Sequence, residues 1–96
     1  MLWLNCEMTT LFYVGSAEEK YPCVVKIEES SILVEYVTPT QMTIQYTGKD
    51  MGNGHFTLEA PSVNGSASLH RFPDSQYLEG SWIESGQKGM WKIVLK

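Results

Sequence analysis

Side chains in this chain alternate apolar and polar with a period of two, and residues that make turns break the pattern every ten or so positions. No segment sustains a helical period, so hairpins are the structure the chain can build. Leu11 to Val14 closes a first strand that can begin near Trp3, and a turn follows over Gly15 to Lys20. Further strands read Tyr21 to Glu28, Ser31 to Val37, Gln41 to Tyr46, His55 to Ala60, Gly65 to Phe72, Tyr77 to Glu84 and Gly89 to Leu95. The intervening stretches, such as Thr38-Pro39-Thr40, Gly48 to Gly54 and Pro61 to Asn64, are rich in residues that accept or preset turn dihedrals. The expectation is an all-β chain of about eight short antiparallel strands in up-and-down order, one domain over residues 1–96.

Trial pairing supports one dry face and one wet face. Opposing Ile27 with Ile32 sets Val25 against Val34 and Cys23 against Tyr36. A three-residue turn at Pro39 sets Tyr36 against Met42 and Val34 against Ile44. Phe56, Leu58 and Ala60 then meet Leu69, Ala67 and Gly65, while Leu78, Gly80 and Trp82 share a face with Trp91, Ile93 and Leu95. Apolar meets apolar at each step, as a buried sheet face requires. Lys26, Glu35, Gln45, Thr57, Glu59, Ser68, Ser81 and Lys92 collect on the other face. Such a meander can close into a barrel, which removes its exposed edges, or fold over as a two-sheet β-sandwich. The barrel is favoured. At eight strands its interior is filled by side chains or holds one small ligand.

The stretch Leu78 to Ile93 contains Gly80-Ser81-Trp82, a short turn, then Gly89-Met90-Trp91-Lys92-Ile93. This paired Gly-x-Trp resembles hairpins of small lipocalin-like (calycin-type) barrels, over about a third of the chain. Glycine there lets a strand bend or a large ring lie over its backbone, and the tryptophans cap the core. The resemblance implies a barrel topology and a binding role. The chain departs from the family in having Met1, not glycine, two positions before Trp3, and in lacking an arginine on its last strand.

Composition narrows the function classes. Seven basic against eleven acidic residues give a net charge of −4 with no basic cluster, which argues against a nucleic-acid partner. No apolar run approaches the ~20 residues of a spanning helix. Glu7 interrupts the N-terminal apolar residues, so no signal peptide is expected, and a cytoplasmic location follows. Cys6 and Cys23 can pair if their strands are neighbours, but reduced thiols suit an intracellular chain.

Three constellations carry candidate chemistry. With a four-residue turn at Pro61 to Asn64, His55 lies across from His70 on the polar face, and a similar turn at Pro73 to Gln76 sets His70 across from Glu79. Two imidazoles and a carboxylate in one row are a plausible zinc-type set, the alternative being solvated side chains. A tight turn at Asn64-Gly65 is a competing register that sets Glu59 against His70, but it forces Pro61 into the ladder. The second constellation is the dry face itself. Tyr36, Tyr46, Phe56, Trp82 and Trp91, with Arg71 at one rim, suit a small apolar guest with an anionic end. The alternative is that these side chains simply fill the core. Third, Ile83, Met90 and Val94 on the outer face can join Leu2 and Leu4 in one apolar patch, suited to a homodimer or another protein partner. No nucleophile has a base within reach, and the Gly48 to Gly54 loop precedes a strand, not a helix, so it is no phosphate loop. Neither enzymatic activity nor a cofactor is expected.

Overall fold

A computed structural model describes residues 1–15 and 18–96; Ser16 and Ala17, in the expected first turn, lie outside the described residues. The strands are β1 (Leu2–Phe12), β2 (Glu18–Glu28), β3 (Ser31–Val37), β4 (Thr43–Asp50), β5 (His55–Ala60), β6 (Gly65–His70), β7 (Tyr77–Glu84) and β8 (Gln87–Val94). They form one closed antiparallel barrel in which each strand pairs with its chain neighbours and β1 closes onto β8. The sandwich alternative is thereby excluded. β1 is long enough to pair with both partners. Glu7 to Phe12 face Val94 to Gly89, and Leu2 to Leu11 face Lys26 to Glu18, with an irregularity between Trp3 and Cys6. Closure satisfies the edge hydrogen bonds that an open meander leaves exposed.

Most of the expected registers hold, because the core-facing residues of neighbouring strands have to coincide. Ile27 faces Ile32 and Cys23 faces Tyr36. His55 faces His70 and Ala60 faces Gly65. Leu78 faces Ile93 and Gly80 faces Trp91. The β5–β6 connection is the wider one, a single 3-10 turn over Pro61–Val63 with Asn64 in the left-handed conformation.

The β3–β4 connection differs. Tyr36 faces Ile44 and Val34 faces Tyr46, so the loop runs from Thr38 to Met42 and Met42 is exposed, not in the core. Thr38 holds this wider loop together: its amide donates to the Met42 carbonyl, and its Oγ1 accepts from the Met42 amide. The slip of two positions leaves every other β4 side chain on its expected face. β4 also runs on through Gly48-Lys49-Asp50, and β2 starts at Glu18, both in stretches read as turns from the sequence. Phe72 lies beyond β6 and is exposed.

The barrel measures 34 × 23 × 22 Å along its principal axes. Met8, Val25, Val34, Tyr46, Leu69, Leu78 and Ile93 are completely buried inside it. Tight inter-strand approach at three glycines shapes the wall. A Cβ at Gly48 would overlap the Thr57 carbonyl, one at Gly80 the Ser68 carbonyl, and one at Gly89 the Leu11 carbonyl and the Trp82 ring. The ring lying over Gly89 is the role expected of glycine in the Gly-x-Trp hairpin.

Candidate functional site

The β1–β2, β3–β4, β5–β6 and β7–β8 connections share one end of the barrel, and there the inward aromatic residues converge. Trp91 is the hub. Its ring centroid lies 4.9 Å from Tyr46 and 5.9 Å from Tyr36, both edge-on, and 6.1 Å from Trp82 in a near-parallel stack. Tyr21 stacks on Tyr36 at 5.4 Å, and Phe12 meets Trp82 edge-on at 5.3 Å. Edge-to-face and offset geometries suit the ring quadrupoles.

Glu84 organises the polar side of this cluster. It accepts hydrogen bonds from the Tyr46 hydroxyl at 2.7 Å and the Tyr36 hydroxyl at 2.9 Å. Gly65, the cross-strand partner of Glu84, leaves the space that the Tyr46 hydroxyl occupies; a Cβ there would overlap it. Burial, with the Glu84 carboxylate beside them, pushes both phenols well above the usual tyrosine range. Tyr21 is pushed up to about 12 by burial and by its hydrogen bond to the Glu19 carboxylate.

The sequence reading put Glu35 and Glu59 on the wet face and assigned Glu84 no role. The signal was its phase, since Leu78, Gly80, Trp82 and Glu84 are alternate residues of β7 and share its inward side. Thr10 was missed for the same reason, falling in the inward series Cys6, Met8, Thr10. Two buried atoms of this region have no hydrogen-bond partner among the described residues: the Thr10 hydroxyl oxygen and the Trp82 indole nitrogen.

Of the residues expected around an apolar guest, Tyr36, Tyr46, Trp82 and Trp91 are brought together here. Phe56, buried near the start of β5, and Arg71, just past β6, stand toward the opposite end. The Arg71 guanidinium lies 5.2 Å from the centre of the Trp3 ring, and its Nε donates to the Ser75 carbonyl at 2.8 Å. An arginine thus packs on the N-terminal tryptophan, although it follows β6 and is not on the last strand.

On the outer face, His55, His70 and Glu79 fall in one cross-strand row as expected. The two imidazoles meet, with Nδ1 atoms 3.1 Å apart. Among the described residues no three His, Cys, Asp or Glu side chains stand close enough to hold a metal ion, so the fold brings together the pair and not the triad. Glu79 and His70 also border an outer groove of about 600 Å³ with Tyr77 and Met90. The expected apolar patch is divided. Leu11 pairs with Met90 near one end, while Leu2 and Leu4 lie toward the other, with Glu7 and Lys92 between.

Cys6 and Cys23 are cross-strand partners, both buried and both free thiols. Burial, and then the neighbouring Cys6 sulfur, push the Cys23 thiol up. No helix among the described residues is long and apolar enough to cross a membrane. In comparisons with known proteins, the chain matches no family model, no curated protein and no solved structure.

Proposed function

We propose that this barrel is a non-catalytic binder of one small, largely apolar molecule, held among Tyr36, Tyr46, Trp82 and Trp91 and entering past Glu84. The observation that carries the reading is the pair of buried, unpartnered polar atoms on Trp82 and Thr10 in the aromatic end. A buried donor without an acceptor costs roughly 1–3 kcal/mol. A guest with one accepting oxygen in an otherwise apolar body relieves that cost while using the rings for contact area. Tyr36 and Tyr46 then act as a clasp, their hydroxyls held by Glu84 until the guest displaces them. The closed eight-stranded architecture is compatible with the lipocalin-like resemblance of the last hairpin, which supports a binding role by analogy. A cytoplasmic setting agrees with the two free thiols.

Tryptophan fluorescence titrated with a long-chain fatty acid, an isoprenoid alcohol and a polycyclic aromatic probe tests the reading. A saturable change with at least one probe, weakened in Trp82→Phe and retained in Trp3→Phe, is expected. Fluorescence unmoved by all three, together with a bare-chain mass for gently purified protein in native mass spectrometry, would overturn it.

A second reading, self-association, is favoured by the exposed Leu11–Met90 pair at the β1–β8 seam. Sedimentation showing a dimer that Met90→Asp dissociates would support it. A monomer at all concentrations would remove it.

A further inference from the structure

Gly54 immediately precedes β5, which His55 opens, and the chain is tightly braced there. The Arg71 amide donates to the Gly54 carbonyl at 2.8 Å, and Gly54 adopts φ +75°, with the Arg71 carbonyl where a Cβ would stand. Because that hydrogen bond lies in the flanking pair, His55 and His70 occupy a non-hydrogen-bonded pair, in which side chains approach most closely. Their rings are 4.6 Å apart between centroids, and their Nδ1 atoms are 3.1 Å apart on the outer face.

Two donors each ~2.0–2.1 Å from a metal ion are about 2.9 Å apart at a right angle and about 3.4 Å apart at the tetrahedral angle. The observed 3.1 Å lies between these limits. As neutral rings, one imidazole donates to the other through Nδ1. Moving that proton to the Nε2 of the same ring frees both Nδ1 lone pairs, with no net proton gained or lost. Imidazole nitrogen suits zinc, copper and nickel, whereas calcium and magnesium prefer oxygen ligands.

We propose that His55 and His70 form a two-imidazole chelating site for a divalent late transition-metal ion on the outside of the barrel. The juxtaposition of their Nδ1 atoms carries the assignment, and it is independent of the interior binding reading. Solvent fills the remaining coordination positions, on the side where Glu79 and Lys92 continue the cross-strand row.

Ni(II) is the probe, since it leaves the reduced thiols of Cys6 and Cys23 intact. Calorimetric titration of the whole chain is expected to show one ion bound per chain. Paramagnetic broadening in NMR spectra should centre on the His55 and His70 rings. His55→Asn and His70→Asn each weaken binding by more than about tenfold, the least that losing even an outer partner of a metal ligand costs. Both variants keep the wild-type unfolding midpoint without metal, while Glu79→Gln keeps the metal affinity. Binding that survives either histidine substitution, broadening centred elsewhere, or loss of binding in Glu79→Gln would overturn the two-histidine assignment.

Discussion

The Tyr46 hydroxyl donates to the Glu84 carboxylate at 2.7 Å, joining two residues 38 positions apart in sequence and three strands apart around the barrel. Tyr46 is otherwise completely buried, so this bond lets a phenol end within an aromatic cluster without an unsatisfied donor. Hydrogen bonds to charged groups contribute roughly 1.5–3 kcal/mol. Tyr46→Phe is expected to lower stability by about 1–2 kcal/mol, and Glu84→Ala by more, because it strands the Tyr36 hydroxyl as well. Urea denaturation of the two variants measures both.

The same cluster sets the alkaline limit of the fold. Tyr36 and Tyr46 titrate above the ordinary value of about 10 and Tyr21 at about 12, so the folded chain keeps protons that the unfolded chain loses. Raised folded-state values mean that the stabilisation is complete below about pH 10 and falls as pH rises beyond it. Each tyrosine ionised only in the unfolded state lowers stability by about 1.4 kcal/mol per pH unit. Denaturation midpoints should hold to about pH 9 and then drop, with tyrosinate absorbance from these residues appearing only as the chain unfolds. Free titration of every tyrosine near pH 10 in the folded chain would contradict this.

Gly80 and Gly89 belong to the hairpin that carries Trp82 and Trp91, and neither has room for a methyl group. The obstacle at each is backbone carbonyl oxygen, which a rotamer change cannot clear. Gly80→Ala and Gly89→Ala are each expected to cost more than about 3 kcal/mol, beyond ordinary overpacking. Gly86→Ala meets no neighbouring atom, and its cost arises only from φ +85°. Thermal unfolding of the three variants ranks them.

Leu69 and Met42 test the register. Leu69 is completely buried, and Leu69→Ala is expected to cost about 2–5 kcal/mol. Met42, at 57% exposure, lies in the β3–β4 loop, and Met42→Ser should stay within about 0.5 kcal/mol of the parent. A core-sized loss at Met42 would restore the shorter turn.

Cys23 is held as a neutral thiol by burial, so iodoacetamide should label it at the rate of global opening. Labelling in native buffer as fast as in urea would show that β1 and β2 separate at this point without unfolding the barrel.

Much of this barrel was legible in the chain itself, because strand phase and hairpin order are local properties. Period-two alternation marks which side of each strand is dry, and turn residues mark where each strand ends. These were enough to set His55 across from His70, Phe56 across from Leu69 and Gly80 across from Trp91. Loop length was less legible. The three-residue and five-residue versions of the Pro39 loop put the same β4 residues inside, so the hydrophobic pattern is blind to the slip that exposes Met42.

Long-range relationships lay beyond the local pattern. Strand alternation allowed both barrel and sandwich; the pairing of Glu7 to Phe12 with β8, between residues more than 75 positions apart, selects the barrel. Glu84 had the right phase for the interior, yet an inward carboxylate is tolerable only where donors meet it. Those donors, Tyr36 and Tyr46, reach it from β3 and β4 once the barrel is closed. Alternation along each strand thus determined which side chains point inward. Their three-dimensional partners were settled by closure, because it joins strands distant in sequence.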